Sequence, residues 1–358
     1  MKLNHKIINI LLLAFVSITL INCAGDGEEP DQIDHSIAAQ LTSPGNGATF
    51  TVGNSVDLNL KVNKPEGISS LAIYINDELY KGDLKAETQT VQLITDSTSK
   101  VGKYSIKFSY TDAGGISRAD YRDIYFFSDV TPVQKTAEIV ATYPHAKTSY
   151  TQGLEFYQGK LFEGTGQYNQ SILAEVELTT GTKLREIPLD GTTFGEGITI
   201  LNDKIYQITY RKGECYVYDL DFNLLNTFIY DGEGWGLSND GKSLIMSNGS
   251  SEIVWRNPET FAIEKTIDVF DDQNSVGNLN ELELINGSLF MNLYTENRIA
   301  EVDTATGKVR AYIDCQAIAI AGADPGNDVL NGIAYNPQTG KIYMTGKWWP
   351  KLFEVRFN

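Results

Sequence analysis

The sequence predicts an all-β protein: a five-bladed β-propeller preceded by an immunoglobulin-like β-sandwich. Three observations carry that expectation. The chain of 358 residues is rich in strand and turn formers, with 19 Tyr, 15 Phe and 32 Gly against 4 Met. Its first part alternates apolar and polar residues with period two, and its second part repeats one turn-and-strand segment five times. The length suits two domains, each large enough to bury a core.

In chain order, Met1 to Lys6 is positively charged and Ile7 to Ile21 is apolar. That is the pattern of a signal peptide, and the run is short for a membrane span. It ends at Leu20-Ile21-Asn22-Cys23-Ala24, which resembles the cleavage site of bacterial lipoproteins, where the Cys is lipidated and begins the mature chain. Asn22 departs from the small residue usual before that Cys. Residues 1–23 are therefore expected to be a lipoprotein-type signal peptide and 24–34 a linker. The mature protein is expected to be exported and held to the cell envelope, on its periplasmic or surface side, through Cys23. Cleavage to a free exported protein is the alternative. Cys215 and Cys315 are too few for a disulfide framework and read as two separate buried thiols.

Residues 35–130 form the sandwich region. Val56 to Val62, Leu71 to Ile75, Tyr104 to Tyr110 and Tyr121 to Phe126 alternate apolar and polar side chains, with turn clusters at Ser43-Pro44-Gly45-Asn46-Gly47 and Asp112-Ala113-Gly114-Gly115. Half-buried strands at that spacing read as an immunoglobulin-like sandwich. No titratable cluster stands out there, so a spacer or docking role is expected.

Residues 136–358 carry the repeat. Leu161, Ile205, Leu244, Leu289 and Ile342 each follow a turn, at steps of 44, 39, 45 and 53 residues. About 40–50 residues accommodate the four strands of one propeller blade. After the fifth copy only Leu352 to Phe357 remains, enough for one strand. The missing outer strand is expected to come from Ala137 to Tyr143, closing the ring by pairing its two ends.

Charge and composition exclude several functions. The formal charge of 29 − 46 = −17 repels phosphates and disfavours nucleic-acid binding. His5, His35 and His145 are the only histidines, which leaves little for a Ser-His-Asp triad or a multi-His zinc site.

In a propeller the innermost strands converge on a central channel. Each repeat has a polar or aromatic residue on that strand: Gln152, Glu196, Trp235, Asn280 and Asn331. The bland reading is a polar, water-filled channel. Seven stretches, in order, carry a sharper one: Tyr143-Pro144-His145, Tyr150-Thr151-Gln152-Gly153-Leu154, Phe194-Gly195-Glu196-Gly197, Gly234-Trp235-Gly236-Leu237, Leu279-Asn280-Glu281-Leu282-Glu283, Val329-Leu330-Asn331-Gly332-Ile333-Ala334 and Thr345 to Glu354. With these, the region from about Ile139 to Phe357 resembles the plant- and bacterial-type glutaminyl-peptide cyclotransferases, the glutamine cyclotransferase family of papaya latex.

The resemblance implies a five-bladed propeller that converts N-terminal glutamine of peptides or proteins to pyroglutamate with release of ammonia. It implies Glu196 as the proton-transfer group, Gln152, Asn280 and Lys347 as pocket residues that orient the substrate amide, and Trp235 as an aromatic wall. Lys347 is preferred to the nearby Lys351 because it directly follows the fifth repeated strand. Tyr210 and Tyr294 stand where the family usually has Trp, which keeps a ring and adds a hydroxyl; Ala146 stands where Asp is common. No cofactor is expected to be required, and no metal ligand is assigned; a structural calcium held by channel carbonyls is left open. A monomer is expected. Two other functions stay open at this stage: a non-catalytic surface propeller that binds a peptide or glycan, and a metal-dependent propeller hydrolase.

Overall fold

The computed structural model describes residues 38–324 and 329–358. The expected signal peptide, Cys23, the linker and the start of the sandwich at His35 lie outside the described residues.

The regular structure of the described residues is strand, joined by turns and loops, apart from the helical segments Pro65–Gly67 and Gln316–Gly322. A three-stranded sheet orders Ala39–Ser43, Ser55–Val62 and Thr90–Ile94. A five-stranded sheet orders Thr49–Thr51, Ser117–Phe127, Gly102–Asp112, Ile68–Ile75 and Glu78–Lys81. Period two works as expected: Val56, Leu58 and Leu60 point inward and join Leu71, Ile73, Ile106, Phe108, Ile124 and Phe126 in one core fed by both sheets. This is the immunoglobulin-like part.

Three antiparallel four-stranded sheets follow, each with its strands in chain order, and then an eight-stranded sheet whose first half is a fourth such set, also in chain order. Their first strands are Thr151–Tyr157, Gly195–Leu201, Leu237–Asn239 and Leu279–Ile285. A fifth set consists of Leu330–Asn336, Lys341–Gly346 and Lys351–Phe357. Its fourth strand is the long segment Val133–Pro144, paired antiparallel from Phe357↔Ala137 to Lys351↔Pro144. The pairing of the two ends of the repeat region is thus present. Val133 to Thr136 also runs parallel to Ala311–Asp314 at the outer edge of the fourth sheet.

The five first strands contact one another in a closed cycle, the last returning to Thr151–Tyr157. Each neighbouring pair of sheets shares its own apolar core. Phe162 and Ile198 meet between the first and second, Ile208 and Met246 between the second and third, and Ile253 and Leu282 between the third and fourth. Ile313 and Leu330 meet between the fourth and fifth, and Tyr343 and Leu154 between the fifth and first. Close approach at the centre requires glycine. A Cβ on Gly197 would lie 2.4 Å from the Leu237 nitrogen, and one on Gly236 would lie 2.3 Å from the Asn280 oxygen.

The sandwich and the sheets of the repeat meet in a packed joint. Phe270 belongs to the sandwich core and stacks on Tyr125 at 6.5 Å. The Lys308 ammonium donates to the Ser97 carbonyl at 2.7 Å and to Asp129 at 2.6 Å, and the Val101 N–H donates to the Thr306 carbonyl at 2.9 Å. Cys215 and Cys315 are both buried and free, as two separate thiols.

Candidate active site

Four of the five first strands are interrupted where they reach the centre. Their pairing register shifts between Thr151 and Gly153, Gly195 and Ile198, Leu279 and Leu282, and Leu330 and Ile333. A β-bulge adds a residue to one strand and re-aims its side chain. Inside these bulges lie Gln152, Glu196, Asn280 and Asn331. In the third sheet Trp235 precedes the strand, fixed by its N–H to the Ser247 carbonyl at 3.1 Å. The Ser247 hydroxyl accepts the Gly236 N–H at 2.7 Å and donates to the Asn280 carbonyl at 2.7 Å, tying two neighbouring sheets together.

These devices deliver side chains to one cavity of about 150 Å³, lined by Tyr150, Gln152, Phe194, Glu196, Tyr210, Trp235, Asn280, Tyr294 and Lys347. All seven residues expected to act on substrate are there. Asn331 is not: it stands behind, donating from Nδ2 to Gln152 Oε1 at 3.1 Å and to the Thr151 carbonyl at 2.9 Å. Lys351 is exposed and donates to the Ala321 carbonyl at 2.7 Å, away from the cavity. A larger cleft of about 670 Å³ lies where the sandwich meets the repeat sheets, lined by Tyr104, Asp268 and Phe270 among others. Its lining includes none of the seven, so size and chemistry point to different places; the clustered polar groups favour the smaller cavity.

The walls are aromatic. Tyr150 meets Phe194 edge-on at 6.0 Å, Phe194 lies 5.8 Å from Tyr210, and Trp235 meets Tyr294 edge-on at 5.4 Å. The Lys347 ammonium lies 4.8 Å from the ring centroids of both Tyr150 and Tyr294, where the faces of two rings favour a cation. Tyr210 carries Arg211 over its ring at 4.6 Å, and Glu233 accepts from Arg211 at 2.7 Å and from the Trp235 indole at 3.1 Å. Both Tyr residues thus occupy wall positions as aromatic groups.

Glu196, Gln152, Asn280 and Lys347 are buried. Burial holds the Glu196 carboxyl well above the usual carboxylate range; the Lys347 charge opposes this and the Glu233 charge adds to it. The Asn280 side-chain oxygen is buried without a hydrogen-bond partner among the described residues. An unpaired acceptor in the wall of a cavity fits a donor on the occupant. A proton-transfer carboxyl, a cation and oriented amides are sufficient for acyl transfer within a small amide. No group of three or more His, Cys, Asp or Glu among the described residues is placed to hold a metal ion.

Tyr150 and Phe194 were not singled out from the sequence as site residues. Their signal was available: each lies two residues before a bulge residue, Gln152 or Glu196, at the mouth of the same strand. The buried Glu163, which accepts from Ser149 and Thr151 on either side of Tyr150, was also missed.

Comparison with known proteins places this architecture in a family. The glutamine cyclotransferase family pattern matches residues 117–357, and a bacterial Ig domain pattern matches residues 38–151. The chain belongs to the glutamine cyclotransferase family. It is 34% identical over 228 residues to a glutaminyl-peptide cyclotransferase of Arabidopsis thaliana, covering 62% of this chain and 71% of the relative. It is 36% identical to the glutaminyl cyclase of Myxococcus xanthus, whose crystal structure superposes with a TM-score of 0.60 over 63% of this chain and 98% of that one.

Proposed function

We propose that the chain is a glutaminyl-peptide cyclotransferase whose chemistry takes place in the central cavity of a five-bladed propeller. The closed cycle of first strands and the apolar core at every sheet-to-sheet junction support the propeller reading. By the same reading, the domain limits are 35–130 and 136–358, with the closing strand reaching back to Val133.

An N-terminal glutamine enters with its carboxamide deepest. Its α-amine, with an ordinary pKa of about 7.7–8.0, attacks the γ-carbonyl carbon and the new C–N bond closes the five-membered ring. Glu196 as carboxylate takes the proton released by the attacking amine. It returns that proton to the amide nitrogen as the old C–N bond breaks, and ammonia leaves. The products are a pyroglutamyl peptide and ammonia, with no net change at Glu196. Lys347 places positive charge where the carbonyl oxygen becomes an oxyanion. Asn280 accepts from a substrate N–H through its unpaired oxygen, and Gln152, held by Asn331, orients the amide. Tyr150, Phe194, Tyr210, Trp235 and Tyr294 exclude water and stack on the substrate.

The convergence of Glu196, Lys347 and Asn280 on one cavity carries this reading. Glu196→Gln should lower ammonia release from a Gln-initiated dipeptide by about 10²–10⁴-fold, the usual span of general acid–base catalysis. Undiminished release would remove Glu196 from the mechanism. Tight binding by wild-type protein without turnover would favour a binding-only propeller.

The anchor is a further part of the proposal, resting on Met1 to Ala24. A single lipidated Cys23 would tether the enzyme to the envelope. Cys23→Ser should move activity from the membrane fraction to the soluble one; activity that stays in the membrane would refute the tether.

A further inference from the structure

We infer that His145 is a doubly protonated imidazolium and acts as a positioning residue, fastening the turn that carries Lys347 to the strand entry that carries Tyr150 and Gln152. The inference rests on the cyclotransferase reading for its catalytic part and on geometry alone for its protonation part.

His145 and Glu163 are buried, with side-chain exposures of 2% and 1%. His145 Nε2 lies 2.9 Å from Glu163 Oε1, and Nδ1 lies 2.8 Å from the Trp349 carbonyl oxygen. The Trp349 carbonyl can only accept, and Glu163, whose ionised form is favoured by the Thr151 and Ser149 hydroxyls donating to it, is an acceptor as well. A neutral imidazole has a single N–H, so opposite an ionised Glu163 either tautomer would press a ring lone pair against an oxygen lone pair at a buried position. Opposite the Glu163 carboxylate, only the imidazolium satisfies both contacts. Glu163 has the matching arrangement as a carboxylate, accepting from the Thr151 hydroxyl at 2.7 Å and the Ser149 hydroxyl at 3.0 Å as well as from His145.

The charged groups facing the ring are Glu163, which favours the cation, and Lys183, which opposes it. The Thr345 hydroxyl lies 3.4 Å from Nδ1 and donates to the Lys351 carbonyl at 2.9 Å. The direction of the shifts agrees with the geometry. Burial pulls His145 down, yet the charge and hydrogen bond of Glu163 and the Trp349 carbonyl leave it raised. For Glu163 burial pushes up, yet His145, Thr151 and Ser149 leave it lowered.

The pair sits where two segments are laced together. The His145 N–H donates to the Pro350 carbonyl at 2.9 Å, and the Trp348 N–H donates to the Ser149 carbonyl at 2.7 Å. Trp348 has φ of 61°, left-handed backbone that a bulky side chain rarely adopts. Such a position persists only when its surroundings enforce it. Lys347, next to it, reaches over the Tyr150 ring, and Tyr150 lies between the two hydroxyl residues bound to Glu163. One ion pair therefore fixes both sides of the Lys347 contact.

The test separates protonation from catalysis. In a His5→Gln/His35→Gln background His145 is the only imidazole, and ¹⁵N NMR of the full chain reports its ring nitrogens. Both should carry protons and stay unchanged from about pH 6 to pH 8, across the ordinary histidine pKa of about 6.5. A single ring proton, or a titration near that ordinary value, overturns the assignment even in an active enzyme. His145→Gln should lower kcat by about 10- to 100-fold with KM changed less than about threefold, the pattern of a displaced catalytic cation. Glu163→Gln should do the same and, in the single-histidine background, let His145 lose a ring proton within that pH range. Unchanged kcat in both variants overturns the positioning role. If wild-type protein releases no ammonia, the cyclotransferase reading fails. The NMR result still decides the imidazolium, and Gln-peptide affinity of His145→Gln replaces kcat as the second readout, with unchanged affinity counting against positioning.

Discussion

Glu196 combines two demands that pull against each other. In the proposed mechanism it must be ionised to accept a proton, yet its burial favours the neutral form. The acid limb of the kcat/KM profile should therefore lie above the ordinary carboxylate range, because the enzyme waits for a carboxyl with a raised pKa to ionise. Glu233 contributes negative charge that raises this pKa and Lys347 contributes positive charge that lowers it. Glu233→Gln should shift the acid limb to lower pH, measured from kcat/KM between pH 4 and pH 9; a shift to higher pH would reverse the assigned electrostatics. At this scale the sequence was informative where side-chain chemistry is rare. The glycine-flanked Glu196 is conspicuous among the inner-strand residues, while its role and that of Lys347 come from the family resemblance. Glu155, Glu281 and Glu283 were not, since they look like ordinary polar positions of alternating strands. Near the centre of the ring both faces of a strand are covered, so all three are buried despite their period-two placement.

Among the elements, the bulges decide which side chains reach the cavity. They depend on glycines that let one backbone lie against the next, and Gly197 is the clearest case. Its missing Cβ would meet the Leu237 nitrogen at 2.4 Å and the Gly236 carbonyl carbon at 2.7 Å, both backbone atoms with no rotamer to give. Gly197→Ala should cost about 1–3 kcal/mol, as overpacked cores do, and should lower kcat by displacing Glu196. A melting temperature and rate equal to wild type would show that the strands can separate without cost. The repeat period, the turns and the closing strand were legible because each follows from local alternation and turn chemistry. The bulges were not. A register shift is a property of a strand pair, and the Gly195-Glu196-Gly197 string does not say how its partner is offset. Trp235 shows the same limit: it was expected on an inner strand, whereas the strand begins at Leu237.

For the molecule as a whole, buried carboxyls make stability depend on pH. Burial raises Glu281 and Glu283 well above their ordinary value, although backbone N–H groups of Leu154, Ile333 and Tyr335 oppose this. The folded state therefore holds protons that the unfolded chain releases near its ordinary pKa of 4.5. Stability from these groups is full below that value and is lost as pH rises through their folded pKa, by up to about 1.4 kcal/mol per group per pH unit. The melting temperature should fall from pH 5 to pH 8, and Glu281→Gln, which stays neutral, should flatten that fall. A rise over this range in wild type would contradict the neutral carboxyls.

The strand Val133–Pro144 completes the fifth sheet, yet it is made before any other part of the ring. During synthesis from the N-terminus it must wait, one edge bare, until Lys351–Phe357 is available some two hundred positions later. The sandwich beside it can mature early. The fifth sheet can be completed only after Lys351–Phe357 has left the ribosome, so a chain cut short before that strand would carry every residue that lines the cavity and still leave the edge of Val133–Pro144 unpaired there.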